Sequence, residues 1–244
     1  MAVLLTGAAG FIGSHLAERL IADGEQVVGL DSFDEFYDPK IKHENIRALS
    51  THERFRMIHG DIRRAEVVST LPEDIDTVIH LAARAGVRPS IEEPTLYTDV
   101  NVLGTMNLLE FAAARDVDAF LFASSSSVYG NSKTVPFVED DPVDRPISPY
   151  AATKKAGELL CHTATHLNGF SCVCLRFFTV YGPRQRPDLA IRKFATLMTE
   201  GQDVPMFGDG STERDYTYID DIIQGIVGAL GYARSHPGTY EVVN

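Results

Sequence analysis

The stretch Gly7-Ala8-Ala9-Gly10-Phe11-Ile12-Gly13 decides the fold, because it joins a strand-like apolar run to a helix-like segment. Val3-Leu4-Leu5 precedes it, and a helical pattern continues to about Ala22. A tight turn needs glycine, and a backbone that approaches a pyrophosphate closely has no room for a Cβ atom. The helix N-terminus supplies N–H groups for the phosphate charge. The spacing therefore predicts a strand–turn–helix unit that binds a dinucleotide.

An acidic residue at the end of the next apolar run narrows the dinucleotide to NAD. Val27-Val28-Gly29-Leu30 is followed by Asp31, 18 residues beyond Gly13. Its carboxylate would accept a hydrogen bond from a ribose 2′-hydroxyl and would repel a 2′-phosphate, which favours NAD over NADP. The alternative is an ordinary turn residue. Asp61-Ile62, after the third run, is placed to flank the adenine, with a helix N-cap as the alternative for Asp61.

Strand-like and helix-like segments alternate over most of the chain. We predict strands at 3–5, 27–30, 55–59, 77–81, 119–124 and 171–177, and helices at 11–22, 63–70, 91–115 and 150–168. Short buried strands separated by helices are typical of a doubly wound parallel sheet. The predicted fold class is therefore α/β of the Rossmann type, with the ligand at the carboxyl ends of the strands.

The pattern changes after Tyr181, where proline, glycine and charged residues become frequent. We divide the chain into an NAD-binding Rossmann domain (1–180), a substrate-binding segment of a C-terminal lobe (181–218), and a helix and strand that return to the Rossmann domain (219–244). Within the middle part we expect a helix at about 189–200 and short strands near Val204 and Tyr216.

Composition limits the possible partners and the compartment. The net charge of −12 argues against nucleic acid or an anionic membrane as the main partner, since both need a basic surface. The three cysteines lack the spacing of a disulfide framework, which fits a reducing compartment. The sequence has neither a long apolar run nor a signal segment, so we expect a cytoplasmic protein. Cys172-x-Cys174 lies in an apolar run, so buried thiols are favoured over a metal site, and no metal is expected.

Tyr150 and Lys154 are four residues apart on a predicted helix, so both project from one face. A tyrosine of ordinary pKa is a poor base at neutral pH. A cation about 5 Å away would lower the pKa of Tyr150 by about 2 units, and a cationic nicotinamide ring would act in the same direction. Tyr150 is therefore predicted to accept a proton, with a hydroxyl from the run Ser124–Ser127 orienting the substrate alcohol.

Taken together, these motifs resemble the extended short-chain dehydrogenases, specifically the NAD-dependent nucleotide-sugar epimerases. The resemblance rests on residues 6–13, 80–83, 85–88, 100–105, 124–130, 148–154 and 214–216, and so covers nearly the whole chain. Residues 175–188, from Leu175-Arg176-Phe177 to Arg186-Pro187-Asp188, resemble the UDP-glucuronate 4-epimerases among them. The resemblance implies C4 epimerisation of a UDP-sugar through a 4-keto intermediate, most simply UDP-glucuronate to UDP-galacturonate.

The resemblance also implies roles for single residues. Tyr150 is the base, Lys154 is its partner on the nicotinamide ribose, and Ser125 is the catalytic hydroxyl. The implied cofactor contacts are Gly7, Gly10, Phe11, Ile12, Gly13, Asp31, Asp61, Ile62, Leu81, Ala82, Ala83, Asn101, Tyr150, Lys154 and Phe177. The implied substrate contacts are Arg214 on the UDP phosphates, Arg186 with Ser126, Ser127 and Thr179 on the sugar carboxylate, and Arg88 on the substrate side.

Charge and composition agree with an anionic substrate. Arg84, Arg88, Arg184, Arg186, Arg192 and Arg214 all fall in segments expected to face the cleft, with solvated surface arginines as the alternative. The 4,6-dehydratases of this superfamily carry an Asp-Glu pair after the catalytic hydroxyl, where Ser126 and Ser127 stand here, so dehydration is disfavoured.

Three alternatives to UDP-glucuronate epimerisation stay open. The substrate could be UDP-glucose or UDP-galactose, the reaction could be decarboxylation of UDP-glucuronate, or the chain could be a silent dinucleotide sensor. Family members usually continue some 60 to 80 residues further, so we expect the C-terminal substrate lobe to be small and incomplete. The resemblance also implies a homodimer formed through the two long helices.

Overall fold

The computed structural model describes residues 1–206, 208–210 and 213–244, and its centre is a seven-stranded parallel sheet. The strands of this sheet are β1 (Ala2–Thr6), β2 (Val27–Asp31), β3 (Phe55–His59), β4 (Ile75–His80), β5 (Ala119–Ser125), β6 (Ser171–Phe177) and β9 (Tyr240–Val243). Two further strands, β7 (Thr179–Tyr181) and β8 (Tyr216–Tyr218), form a separate parallel pair. The α/β prediction is confirmed.

The helices cover both faces of the sheet. They are α1 (Phe11–Ala22), α2 (Pro39–Asn45), α3 (Ala65–Ser69), α4 (Val87–Glu92), α5 (Pro94–Thr98), α6 (Gly104–Ala114), α7 (Pro149–Asn168), α8 (Ala190–Thr199) and α9 (Ile219–Ser235). A π-helical segment, Asp99–Leu103, joins α5 to α6. One hydrophobic core lies under α1 and α9, and a second lies under α6 and α7.

The strand order places the ligand-binding crevice. The order is β3-β2-β1-β4-β5-β6-β9, so the chain reverses its winding direction between β1 and β4. At the carboxyl ends of these two strands, the Thr6 hydroxyl and His80 Nδ1 are 2.7 Å apart, and His80 Nε2 is 3.0 Å from the Thr105 hydroxyl. Burial lowers the pKa of His80 to about 3, so this residue is a neutral connector. Ligands of open α/β sheets bind at such a switch point.

The helix expected over 91–115 is wrong as a single element. The first turn forms earlier, in α4, and Glu93 leaves helical geometry at φ −125° and ψ 53°. The break precedes Pro94, as expected, because proline disfavours helical geometry in the residue before it. α2 was not foreseen, and the described residues around Val204 form no strand.

The C-terminal part of the chain contacts the main sheet at its edge. β9 pairs with β6, with Cys172 opposite Tyr240, and α9 packs on the core beneath β5 and β6. All ten side chains of α8 are partly or fully exposed. Among the described residues, no helix combines the length and the hydropathy that crossing a membrane requires.

Candidate active site

The glycine turn after β1 is closed so tightly that side chains are excluded. A Cβ atom on Gly13 would lie 2.1 Å from the Gly7 carbonyl oxygen, and one on Gly7 would lie 2.9 Å from the Ala82 nitrogen. Gly7 has a φ of +69°, which favours glycine. Among the described residues no side chain caps Gly10 at the start of α1, so the first N–H groups of that helix remain available to an anion.

Asp31 lies at the carboxyl end of β2, beside the glycine turn. Its carboxylate accepts hydrogen bonds from the backbone N–H groups of Ala9 at 3.1 Å and Phe33 at 2.8 Å. The nearly buried Lys42 ammonium lies 3.6 Å from the same carboxylate. Asp31 therefore stabilises the turn. It also lines the cleft, where the remaining lone pairs of its carboxylate can accept a hydrogen bond from a hydroxyl group.

Asp61 forms a local ion pair. Its oxygens accept from the Arg63 guanidinium at 2.6 to 3.1 Å and from the Arg63 backbone N–H at 2.9 Å. These hydrogen bonds outweigh burial and lower the pKa of Asp61. The N-cap of α3 is Arg64, so the N-cap alternative for Asp61 is wrong.

A cavity of about 520 Å³ runs along the carboxyl ends of the strands. Both the glycine turn and Arg186 line it. The expected site residues that line it are Gly7, Gly10, Phe11, Ile12, Gly13, Asp31, Asp61, Ile62, Leu81, Ala82, Ala83, Ser125, Ser126, Ser127, Tyr150, Lys154, Phe177, Thr179 and Arg186.

Three expected site residues lie outside this lining. Asn101, in the π-helical segment, is buried, and its side chain accepts from the Arg84 N–H at 2.8 Å and donates to the Arg84 carbonyl and the Thr153 hydroxyl, each at 3.0 Å. It thus holds the chain that carries Arg84. Arg88 is exposed on α4, and Arg214 is exposed just before β8 and donates to the Glu213 carbonyl.

Lys154 and Tyr150 project from the first turns of α7. The Lys154 ammonium donates to the Ala123 carbonyl at 2.7 Å and lies 6.0 Å from the centre of the Tyr150 ring. Burial lowers the pKa of Lys154 to about 8. Burial also raises the pKa of Tyr150, against the lowering influence of the Ser125 hydroxyl and the Arg186 charge. The expected net lowering by Lys154 is therefore wrong for the protein without cofactor, because desolvation is the larger effect.

The serine run forms a turn at the end of β5. Ser125 caps a short 3₁₀ helix, Ser126–Tyr129, by accepting from the Ser127 N–H at 3.1 Å. Its hydroxyl also donates to the Ser127 hydroxyl at 3.1 Å. The turn places three hydroxyl groups at the cleft beside Tyr150, where a sugar hydroxyl or carboxylate could bind them.

The four other arginines that were expected to face the cleft form two sets. Arg84 and Arg186 line the cleft and both lie against the ring of Phe36, at 4.6 and 5.4 Å from its centre. Arg184 and Arg192 lie outside it: Arg184 pairs with Glu18 at 2.7 Å, and Arg192 donates to the Gln185 carbonyl. Arg184 and Arg192 thus lie outside the cleft, and both are partly buried in contacts within the protein.

Several residues of the cleft were not predicted from the sequence. Phe36, Tyr37 and Lys42 come from the segment after β2, and Arg63 follows β3. Every one of them lies shortly after a strand of the sheet. The rule that ligands bind at the carboxyl ends of parallel strands could have drawn attention to these positions.

Behind the cleft, α7 and β6 are joined by a buried ion pair. Both carboxylate oxygens of Glu158 accept from Arg176, at 2.9 and 3.0 Å, and Ser124 donates to Glu158 at 2.6 Å. Arg176 also donates to the Tyr129 hydroxyl at 2.9 Å. Glu158 is one helical turn beyond Lys154, so this network fixes the helix that carries Tyr150 and Lys154.

Three free thiols lie together in the second core. Cys161 of α7 and Cys172 and Cys174 of β6 are all buried, and their sulfur atoms lie within 4.8 Å of one another. The expectation of buried thiols on one face of a strand is confirmed for Cys172 and Cys174.

Comparison with known proteins identifies the family. A model of the NAD dependent epimerase/dehydratase family matches residues 3–243. The chain belongs to this family. Over 243 residues it is 44% identical to UDP-glucuronate 4-epimerase of Thermodesulfobacterium geofontis (strain OPF15), and the alignment covers 99% of this chain and 73% of that protein.

Solved structures of family members superpose closely on this one. UDP-glucuronic acid 4-epimerase from Bacillus cereus, in complex with UDP-glucuronic acid and NAD, matches with a TM-score of 0.92 at 42% identity, covering all of this chain and 77% of that one. A dTDP-glucose 4,6-dehydratase from Streptomyces venezuelae with NAD bound matches with a TM-score of 0.90 at 32% identity, covering all of this chain and 75% of the other.

Proposed function

We propose that the chain is an NAD-dependent 4-epimerase that interconverts UDP-glucuronate and UDP-galacturonate through a 4-keto intermediate. The observation that carries the proposal is that one cleft contains the glycine turn, the Tyr150–Lys154 pair and the Arg186 guanidinium. The relatives named above include UDP-glucuronate 4-epimerases, one of them crystallised with UDP-glucuronic acid and NAD. The cleft thus offers a nucleotide site, a proton acceptor and a cation for a carboxylate.

The cleft residues fit NAD. The turn that a Cβ atom would fill, the uncapped start of α1 and the carboxylate of Asp31 match a pyrophosphate and an adjacent ribose. Asp61 and Ile62 would flank the adenine and Lys154 would bind the nicotinamide ribose, and all three line the same cleft. When bound, NAD supplies the hydride acceptor and donor for C4 of the sugar.

Tyr150 is the residue that moves the proton. It takes the proton of the sugar 4-hydroxyl as C4 is oxidised and returns it when C4 is reduced on the other face. Its pKa is raised by burial in this structure, so it becomes an effective base only when further positive charge enters the cleft. The Ser125 hydroxyl, which interacts with the Tyr150 phenol, is placed to orient the substrate oxygen.

The substrate end of the cleft favours a uronic acid over a neutral sugar. Arg186 offers a planar fork, and Ser126, Ser127 and Thr179 offer hydroxyl donors to the same carboxylate. The 4-keto form of glucuronate is a β-keto acid and can lose CO₂. A carboxylate held by Arg186 and Thr179 would be kept out of the alignment that this loss requires. We propose contacts with the UDP phosphates for Arg214 and with the substrate for Arg88, both from the resemblance to the family.

The assignment is tested with Tyr150→Phe, which removes the proton acceptor and keeps the ring. We expect turnover of UDP-glucuronate to fall by at least about 10³-fold with thermal stability preserved. Tyr97→Phe is the matched control, because Tyr97 packs edge-on against Tyr150 with its hydroxyl on the Ala85 carbonyl. It should keep most of the activity. Near-normal turnover by Tyr150→Phe would contradict the assignment.

The substrate is tested by product analysis with UDP-glucuronate, UDP-glucose and UDP-galactose, together with measurement of released CO₂. The proposal expects UDP-galacturonate as the main product. Epimerisation of the neutral sugars alone would favour the first alternative, and UDP-pentose with CO₂ the second. The absence of any product while NAD still binds would indicate a dinucleotide sensor.

We further propose a homodimer formed through the helices on the α6–α7 face. Ile91, Leu103, Leu159 and Leu167 belong to these helices and the segments leading to them, and each is about half exposed or more. Apolar side chains exposed in one region are typical of an interface. Sedimentation analysis tests the proposal, and a monomer at micromolar concentration would contradict it.

A cytoplasmic location is the corresponding proposal for the compartment. It is supported by three free thiols whose sulfur atoms lie within 4.8 Å of one another. Such thiols persist in a reducing environment. Alkylation of protein freshly released from cells should modify all three cysteines after denaturation, and a disulfide among them would contradict the proposal.

A further inference from the structure

We propose that Asp188 and Phe36 are positioning residues that hold the guanidinium group of Arg186 in the orientation in which it binds the sugar carboxylate. This inference rests on the proposed function, because it concerns how the same cleft recognises a uronic acid. Neither residue belongs to the nucleotide turn or the tyrosine–lysine pair. Both act on the substrate through Arg186.

Asp188 binds one edge of the Arg186 guanidinium, and no other described residue forms a hydrogen bond with its Nη1 edge. Its Oδ1 accepts from Nε at 3.0 Å, and its Oδ2 accepts from Nη2 at 2.7 Å. This two-point pairing fixes the plane of the group. Nη1 and the second hydrogen of Nη2 form the remaining edge, which can bind a second carboxylate in the same two-point geometry. Asp188 and the substrate can therefore occupy Arg186 together.

Phe36 lies next to the same guanidinium, which is over the face of its ring. The Arg186 carbon Cζ lies 5.4 Å from the centre of the ring, and Phe36 itself lines the cleft. Stacking on an aromatic ring restricts rotation about the long arginine side chain. The pairing with Asp188 fixes the plane of the group, and the ring restrains the group from one side.

The position of Phe36 is itself fixed by charged neighbours. Arg84 lies 4.6 Å from the ring centre and pairs with Asp34 and Glu93. The Phe36 N–H donates to the Asp34 carboxylate at 2.9 Å. Arg84 therefore ties the segment after β2 to the start of α5, and the ring stays beside Arg186.

The location of Arg186 makes its orientation important for the reaction. The group is largely buried at the end of the cleft, and its charge is close enough to lower the pKa of Tyr150 against the effect of burial. A guanidinium free to turn would bind the carboxylate less firmly and leave its bond to C5 able to align with the keto group. Loss of CO₂ would then leave the electron pair on the C4 ketone as an enolate, which is protonated at C5 to give a UDP-4-keto-pentose. Return to C4 of the hydride first taken from it would reduce this ketone to a UDP-pentose.

The experiment measures KM, kcat and product distribution for Asp188→Asn and Phe36→Leu with UDP-glucuronate. We expect KM to rise about tenfold in each, since each loses one of the two restraints on Arg186, with kcat within about threefold. The share of UDP-pentose among the products should also rise. Asp188→Glu keeps the carboxylate and should restore most of the affinity.

The matched control is Glu18→Gln. Glu18 pairs with Arg184 at 2.7 Å, and this pair is about as exposed as the Arg186–Asp188 pair. Arg184 is two residues before Arg186 but lies outside the cleft. The Glu18→Gln variant should change neither KM nor the products. In an Arg186→Lys background, which removes the two-point geometry, Asp188→Asn should have little further effect.

Three outcomes would overturn the inference while the wild type still epimerises UDP-glucuronate. One is an unchanged KM in both Asp188→Asn and Phe36→Leu. Another is a lower KM in Asp188→Asn, since this would show that Asp188 competes with the substrate. The third is an equal effect on the NAD Kd, which would indicate general disruption. A wild type that binds NAD but does not convert UDP-glucuronate would instead overturn the proposed function.

Discussion

Two buried cations, Lys154 and Arg176, lie close to β5, and among the described residues a carboxylate pairs with Arg176 and none with Lys154. Glu158 accepts from Nε and Nη2 of Arg176, and this two-point pairing raises the pKa of Arg176. Lys154 donates to a backbone carbonyl, and within the described ranges no carboxylate forms an ion pair with it. Burial therefore lowers the pKa of Lys154 to about 8.

The paired cation, Arg176, stabilises the structure around the site, whereas the unpaired cation, Lys154, is available to act in it. A buried ion pair with all its hydrogen bonds made is rigid, and the Glu158–Arg176 pair joins α7 to β6 behind the cleft. A buried ammonium without a counter-ion costs stability, yet it can bind cofactor hydroxyls and influence Tyr150 because no carboxylate neutralises it. Lys154 and Glu158, the partner of Arg176, thus lie one turn apart on α7.

Breaking the buried pair should have the largest effect. Glu158→Ala leaves Arg176 charged without its partner and leaves the Ser124 hydroxyl without its acceptor. We expect the free energy of unfolding to fall by about 3–5 kcal/mol. Urea denaturation of the purified variant measures this loss. Glu44→Ala, which removes an exposed pair with Arg47, is the control and should change stability by less than about 1 kcal/mol.

A loss below about 1 kcal/mol in Glu158→Ala would contradict this comparison. It would mean that water can replace the ion pair with little loss of stability. Loss of activity without loss of stability would also contradict it. That result would give Glu158 a role in the reaction and not in the framework.

Removing the unpaired cation, Lys154, should raise the free energy of unfolding, whereas removing Glu158 lowers it. The pKa of Lys154 is about 8 in the folded chain and 10.5 as the ordinary reference, so the folded protein binds fewer protons than the unfolded one between these values. The cost is fully present below pH 8 and is relieved as pH rises toward 10.5. Lys154→Met should therefore gain up to about 3 kcal/mol at pH 7 and lose activity.

The measurement is urea denaturation of the wild type and Lys154→Met from pH 7 to pH 10. The wild type should approach the variant in stability as the pH rises through this range. Two parallel stability profiles would show that Lys154 is solvated as easily in the folded chain as in the unfolded one.

The nucleotide end of the cleft could be predicted from the sequence because its determinants are local. The glycine spacing requires a turn whatever surrounds it, and the position of Asp31 follows from the end of β2. The tyrosine–lysine spacing likewise needs only one helix, and α7 provides it. The positions of all these residues follow from one strand or helix at a time.

The substrate end could not be predicted in this way, because contacts between distant segments decide it. Phe36 meets Arg84 and Arg186, which are far from it in sequence and from each other. The same applies to Asn101, whose side chain is used by the Arg84 backbone and Thr153. The sequence contains the charges, and only the fold shows which of them face each other.

The smallest effect on stability is expected where an ion pair is partly exposed. The side chains of Arg186 and Asp188 are 19% and 40% accessible, against 2% and 0% for Arg176 and Glu158, although the two-point geometry is the same. Asp188→Asn should therefore change the free energy of unfolding by less than about 1 kcal/mol, because water replaces the lost partner. The same urea series measures it. A loss as large as that of Glu158→Ala would show that Asp188 belongs to the framework, whereas a small loss with a raised KM would place its effect on the substrate.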